Sequence, residues 1–313
     1  MDLTISMYRA CAGGYVGGGQ VHPALLDEAR EGLAHAKESG LVADGFVARC
    51  GDDIDLVLLH EAGVRGADAR STALDVFGKA ASAGTRLRQH GGNGGLKLDA
   101  VELGLVPRPS EPVLCFFSNK VRPGSLNLHI YRLFADPFVS TGLVTDPALN
   151  TGFRFVARDR AGIDDVFDLP EDLYKLLAAV RAGGCITRIE SRASGEAAAV
   201  ASSGADPMLV VRCESPFPGV EDALEAFASQ GPFGSCAGQG PLVPVSANGD
   251  ATARSMPRVM GLGFQVSPER LVGPRDLLGD TAFDDLRREA VASVRLARSA
   301  AVTHSHDEVS SAI

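Results

Sequence analysis

The chain has 313 residues, 45% of them hydrophobic, and a formal net charge of −9. That is enough apolar material for a full core in one large domain. The acidic balance, without a basic stripe, speaks against nucleic acid and anionic membrane as partners, and no apolar run is long enough to span a bilayer.

Residues 3–10 alternate like a strand, and this pattern behind an acidic second residue is not that of a signal peptide. A glycine-rich loop follows, Gly13-Gly14-Tyr15-Val16-Gly17-Gly18-Gly19. It fits neither a dinucleotide fingerprint nor a P-loop: Gln-Val-His-Pro intervenes before the next helix, and no Gly-Lys-Ser/Thr occurs. Pro23 opens an amphipathic helix to Ser39, with Leu25, Leu26, Ala29, Leu33 and Ala36 on one face. His22 reads as structural at its start. Strands are expected at 42–50 and 54–60, joined by a turn carrying Asp52 and Asp53. A long helix covers 66–88. The stretch 89–111 is rich in Gly and Pro and reads as loop.

Val113–Phe117 reads as a short buried strand, and Leu126–Ala135 as a helix that stops before Asp136-Pro137. Strand-like pieces follow near 140–145 and 152–158. Pro170 starts a helix to Arg181. Strands are expected at 185–192, 195–201 and 208–213, then a helix over 219–228. Residues 229–256 read as irregular and Met256–Gln265 as a strand. The last helix runs from Thr281 to Ala300, with a polar tail over 301–313. Strands and helices interleave without a dividing linker, which predicts one α/β domain over residues 1–300. Six cysteines are scattered with no CxxC pair, the usage of reduced thiols in a cytoplasmic protein without a zinc site.

Adjacent carboxylates such as Asp52 and Asp53 repel unless something compensates them, and a divalent cation on a rigid turn is the usual reason to keep a pair. Gly-Asp is also ordinary turn chemistry, so both readings stand. Cys11 has two readings as well: a nucleophile if its pKa is lowered, or a small buried hydrophobe at a strand end.

Runs of residues spread along the chain carry a resemblance. They include Val-His-Pro-Ala-Leu (21–25), Ala-Lys-Glu-Ser-Gly-Leu (36–41), Gly-Asp-Asp (51–53), Arg-Pro-Ser-Glu-Pro-Val (108–113) and Phe-Ala-Asp-Pro-Phe (134–138). Further on come Gly-Leu-Val-Thr-Asp-Pro (142–147), Gly-Phe-Arg-Phe (152–155), Gly-Pro-Leu-Val-Pro-Val (240–245) and Leu-Val-Gly-Pro-Arg-Asp (271–276). In this order they resemble the archaeal-type (class V) fructose-1,6-bisphosphate aldolase/phosphatase family. The resemblance implies a four-layer α-β-β-α sandwich, several magnesium ions, a Schiff-base lysine, phosphate-binding basic residues and a homo-oligomer. It also implies that Asp52, Asp53 and Asp206 match metal ligands, and that Lys120 matches a lysine that follows another ligand.

The same alignment exposes departures. The family's first-strand metal aspartate is Cys11 here, its histidine ligand is Gly18, and the aspartate before Lys120 is Asn119. Its glutamine ligand corresponds to Asn93. The Schiff-base lysine of Lys-Asp-Asp-Pro is Gly204 and the aspartate after it is Ala205. The segment carrying the family's catalytic tyrosine is shortened, and Ser235 and Arg254 stand near two other altered positions. The remaining carboxylates suffice for at most one weakly bound divalent ion, Mg2+.

Two readings of function follow. In the first, the pocket is re-purposed for lyase, cyclase or hydrolase chemistry on a small polar, sugar-derived or phosphorylated substrate. Asp52, Asp53, Lys120 and Cys11 are then the catalytic candidates, and Asn93, Asn119, Tyr15 and Gln239 the substrate-binding ones. In the second, the chain is a non-catalytic paralogue that binds a ligand or serves as a scaffold.

Overall fold

A computed structural model describes residues 3–11, 14–15, 19–61, 63–64, 66–88, 98–105, 108, 110–214, 217–228, 241–247, 256–267 and 270–296. Its first half gives β1 (Leu3–Ala10), the short pair β2 (Gly14–Tyr15) and β3 (Gln20–Val21), α1 (Pro23–Glu38), β4 (Asp44–Cys50), β5 (Asp53–His60), α2 (Ala67–Arg86), β6 (Asp99–Leu105), β7 (Glu111–Asn119), α3 (Asn127–Ala135) and α4 (Gly142–Thr145). The second half gives β8 (Phe153–Arg158), β9 (Asp164–Asp168), α5 (Leu173–Arg181), β10 (Cys185–Ser191), β11 (Ala197–Ala201), β12 (Met208–Arg212), α6 (Val220–Ala228), β13 (Val243–Pro244), β14 (Arg258–Ser267) and β15 (Arg270–Asp276). A 3-10 turn at Thr281–Phe283 leads into a helical stretch over 284–296.

Two sheets face each other. One has the order β4-β5-β1-β6; the other runs β13-β14-β7-β12-β11-β10-β8-β9, with β15 paired to β14. Alternation explains the layering. On β1, Ile5 and Met7 enter the apolar layer between the sheets, while Tyr8 faces the helices. On β5, Val57 and Leu59 point inward, and Ile54, Leu56 and Leu58 point outward under α1 and α2. On β7, Val113, Cys115 and Phe117 join the inter-sheet layer, while Leu114 and Phe116 pack outward with residues of α3, α5 and α6. Strands buried on both faces read as continuous apolar runs. The result is the expected single-domain α-β-β-α sandwich.

Four details differ from the sequence reading. Residues 99–105, expected as loop, form β6, because Val101, Leu103 and Leu105 alternate into the inter-sheet layer opposite β1. Residues 140–145, expected as strand, hold the four-residue α4, which buries no side chain of its own. β9 was not expected, since Asp is poor strand material. It is held to β8 in a register that sets Asp164 opposite Arg158 and Asp168 opposite Arg154, each pair ion-paired. β15 was also missed; it pairs with the C-terminal half of β14. The 301–313 tail lies outside the described residues.

Candidate functional site

The turn between β4 and β5 begins at Gly51, whose φ of +70° lies in the left-handed region. A Cβ there would also collide with the Asn119 side chain, so glycine is required twice over. Asp52 follows at the tip, and Asp53 opens β5. The inward register of β1, β5, β7 and β14 continues past the apolar layer, so Arg9, Asp53, Asp55, Asn119 and Arg258 extend the same inter-sheet face at one end.

Asn119 bridges the acidic pair: its Nδ2 donates to Asp52 Oδ1 at 3.1 Å and to Asp53 Oδ2 at 2.9 Å. The chain leaves β7 with Lys120 at φ 62°, and Lys120 Nζ donates to Asp52 Oδ2 at 2.7 Å. Asp206, also left-handed at φ 52°, accepts from Val121 N at 2.7 Å through Oδ1. Non-glycine residues hold such angles only where surrounding bonds impose them. Arg9 ties the pieces together. Its Nε donates to Asp55 Oδ1 at 2.7 Å and lies 3.7 Å from Asp53 Oδ2, while Nη1 donates to the carbonyls of Ser118 and Asp206, each at 2.5 Å. Its guanidinium also sits over the Phe117 ring at 5.9 Å.

The two neighbouring aspartates are driven apart. Burial works to raise Asp52, but the hydrogen bonds from Lys120 and Asn119 outweigh it and hold the carboxyl below its ordinary value. For Asp53 burial wins over Arg9, with Asp52 and Asp206 adding repulsion, and its pKa is raised. Burial likewise pushes Asp55 up to about 7 against the pull of Arg9. Burial lowers Lys120, but Asp52, Asp53 and Asp206 prevail and keep the ammonium above its ordinary pKa. An amine held that firmly protonated is a poor imine-forming nucleophile.

Asp206 thus interacts electrostatically with Asp53 and Lys120, yet its carboxylate is turned to the Val121 amide. Among the described residues, no group of three or more His, Cys, Asp or Glu side chains is arranged to hold a metal ion. The magnesium implied by the resemblance does not fit these residues as they stand. Cys11, just past β1, is exposed and outside any disulfide. His22 caps α1, its Nδ1 accepting from Ala24 N at 3.1 Å. Asn93, Gln239, Gly18, Ser235, Cys236 and Arg254 lie outside the described residues, and Tyr15 is described in its backbone only. Arg9, Asp55 and Arg258 were not singled out from the sequence. Their signal was there: residues 5, 7 and 9, and 53, 55, 57 and 59, share an alternation that leads inward.

The family described as fructose-1,6-bisphosphatase matches residues 2–312. The chain is 40% identical to the fructose-1,6-bisphosphate aldolase/phosphatase of Moorella thermoacetica, over 92% of this chain and 84% of that protein. It is 36% identical to the protein of the same description from Metallosphaera sedula, over 93% and 84%. The corresponding protein of Methanothermobacter marburgensis is 35% identical, over 93% and 88%. The chain belongs to the fructose-1,6-bisphosphate aldolase/phosphatase family. Among solved structures, a protein of unknown function from Galdieria sulphuraria covers 61% of this chain and 98% of its own at 12% identity, with a TM-score of 0.19 that carries no argument.

Within this family framework, Gly204 is the position of interest. It lines a cleft of ≈ 550 Å³ between the sheets, together with Asp99, Glu102, Arg70, Arg158 and Arg188. A Cβ at Gly204 would stand 2.9 Å from Asp99 Oδ2, so any side chain there must displace that carboxylate. No helix of the described residues is long and apolar enough to cross a membrane.

Proposed function

We propose that this family member runs acid–base chemistry, as a lyase, cyclase or hydrolase, on a small polar metabolite that is sugar-derived or phosphorylated. The carrying observation is the unequal setting of the Asp52–Asp53 pair: Asp52 is bonded to Lys120 and Asn119, while Asp53 is buried beside Arg9. One carboxyl is held ionised by Lys120 and Asn119, and its neighbour is pushed toward its protonated form by burial. Two carboxyls driven apart by their surroundings are the usual mark of an acid and a base. Asp52, at the rim, takes a proton; Asp53 gives one; Asn119 keeps them in register. The Lys120 ammonium, about a third exposed, faces an anionic group of the substrate. Exposed Cys11 completes the candidate set. The cleft beside Gly204 has the volume of a metabolite site, but Asp52, Asp53, Asn119 and Lys120 do not line it. Its context is carbohydrate metabolism in the cytoplasm, with the chain assembled as a homo-oligomer.

The relatives' printed activities, aldolase and phosphatase, are not expected here. Gly204 supplies no amine, and Cys11 and Gly18 stand where the resemblance places two metal ligands. A coupled assay on fructose 1,6-bisphosphate with excess magnesium tests this: turnover above an Asp52→Ala/Asp53→Ala background overturns it. The positive test is a panel of sugar phosphates and deoxy or keto sugar acids, with product formation expected to vanish in Asp52→Asn and in Asp53→Asn. One observation favours the non-catalytic reading: both carboxyls of the pair already have partners within the protein. No turnover on the panel, combined with a metabolite-dependent rise in Tm that survives both substitutions, would select it.

A further inference from the structure

The family resemblance matches Asp52, Asp53 and Asp206 to ligands of divalent ions, yet the described residues form no group arranged to hold one. The disagreement can be followed oxygen by oxygen. Asp52 accepts through both of its own: Oδ1 from Asn119 Nδ2 at 3.1 Å and Oδ2 from Lys120 Nζ at 2.7 Å. Asp53 Oδ2 accepts from the same Asn119 Nδ2 at 2.9 Å. Asp206 Oδ1 accepts from Val121 N at 2.7 Å, and Asp206 N donates back to the Val121 carbonyl at 3.3 Å. Each matched carboxylate is therefore already bonded to an N–H group of this chain.

One nitrogen serves both members of the adjacent pair. Asn119 is fully buried, and its amide carries two hydrogens, one for each carboxyl group. An ionised Asp52 can only accept, so the end of the side chain that faces the pair is the nitrogen. The other end, Oδ1, lies against Gly51 and has no hydrogen-bond partner among the described residues. The one atom of Asn119 able to coordinate a hard cation is thus turned away from the pair. The resemblance places an aspartate at this position, and asparagine differs from it by NH2 in place of one oxygen. That exchange turns the atom between the two carboxyl groups from a ligand into a donor. We propose that the Asn119 carboxamide stands in for a cation bridging Asp52 and Asp53, and that this one residue keeps a divalent ion out. Lys120 supplies the charge, on the other oxygen of Asp52. An aspartate at 119 would set three carboxylates against one another, an arrangement that a divalent ion relieves. This goes beyond the proposed function and requires no turnover, so failure of either leaves the other standing.

The test is calorimetric titration of MnCl2 into the wild-type chain, Asn119→Asp and Lys120→Met. The wild type should bind Mn2+ only weakly. Asn119→Asp should gain one site at least about tenfold tighter, and that gain should disappear in Asn119→Asp/Asp53→Asn. Lys120→Met frees Asp52 Oδ2 but keeps the amide, so it should gain no site; a tight site there would assign the exclusion to the ammonium and overturn the role of Asn119. Mn2+ should raise the Tm of Asn119→Asp and leave that of the wild type unchanged. Wild-type binding as tight as that of Asn119→Asp overturns the proposal, as does a folded Asn119→Asp that gains no site. Should Asn119→Asp fold only with Mn2+ present, the proposal is supported. Should it fold in neither condition, Asn119→Asp/Asp55→Asn decides, because it keeps the number of carboxylates unchanged. Absence of an added Mn2+ site there, or failure to fold with Mn2+ present, overturns the proposal, since the ion should offset the carboxylate placed at 119.

Discussion

β7 ends in a polar cluster on each side of the inter-sheet layer. At its C-terminal end it delivers Asn119 to Asp52 and Asp53, with Arg9 and Asp55 behind them. At its N-terminal end it delivers Glu111 to Arg212, whose Nε donates to Glu111 Oε2 at 2.8 Å and whose Nη1 donates to Glu196 Oε2 at 3.1 Å. Arg108 closes that cluster at 3.6 Å from both glutamates, and the Phe217 ring lies 5.1 Å from the Arg212 guanidinium. There, two arginines are ion-paired with two glutamates, while Glu214 adds repulsion on Glu111 from further off. At the Asn119 end, four carboxylates, those of Asp52, Asp53, Asp55 and Asp206, meet the charges of Arg9 and Lys120, with buried Arg258 as the register partner of Asn119. Charge parity is what a structural strut needs, because an uncompensated buried charge is costly. A surplus of carboxylate is kept where protons or cations are handled. The difference sets an ion-paired brace against the candidate site on one strand.

The largest expected effect tests the brace. Arg212→Met should cost about 3–5 kcal/mol in urea denaturation, because Glu111 is left buried with only the more distant Arg108. Removing both charges in Glu111→Gln/Arg212→Met should recover most of that loss. A single-variant cost near zero would show that parity is not what holds this end.

Acid titrations of either end need a background subtracted, and His129 supplies it. It stacks on Phe227 with ring centroids 4.4 Å apart, and burial, aided by Arg132, pushes its pKa down to about 4. The unfolded chain binds a proton at His129 near pH 6.5 while the folded chain does not, so stability is full above that pH and falls as pH drops toward 4. The loss should be on the order of 3 kcal/mol, read from Tm or denaturation midpoints across that window. His129→Phe should flatten the slope; an unchanged slope would assign the acid sensitivity to the carboxylate clusters instead.

Asn119→Ala should cost about 2 kcal/mol, since it removes hydrogen bonds to two carboxylates and lets them repel. Carboxyl resonances followed by NMR against pH should show Asp53 titrating higher than in wild type. No movement would mean that Asn119 does not hold the split in the pair. The smallest stability effect should come from Lys120→Met, below about 1 kcal/mol, because this ion pair is open to solvent. Its effect on turnover should be far larger, and equal losses in stability and activity would demote Lys120 to a surface pair.

Much of this molecule was legible from its residues alone. The alternation of β1 and β5, the helix opened by Pro23, the hairpin turn at Gly51 and the family followed from local periodicity, turn chemistry and runs of matching residues, whereas the helix expected from Pro170 begins at Leu173. These depend on neighbours a few positions apart, so the chain states them directly. Asp52, Asp53, Asn119 and Lys120 are among the candidates the sequence marks, alongside Cys11, Asn93, Tyr15, Gln239 and Asp206. What the tertiary structure decided is which long-range partners compensate them. Arg9 meets Asp55 across 46 positions, Ser118 across 109 and Asp206 across 197; the alternation of β1 turns it inward, but nothing local says which oxygens it meets there. β9 was hidden for the same reason, since its strand character comes from pairing with β8 rather than from composition, whereas β6 carries a local alternation that the surrounding glycines and prolines masked. The balance of charge at each end of β7 is a sum over strands that only the register of two facing sheets brings together.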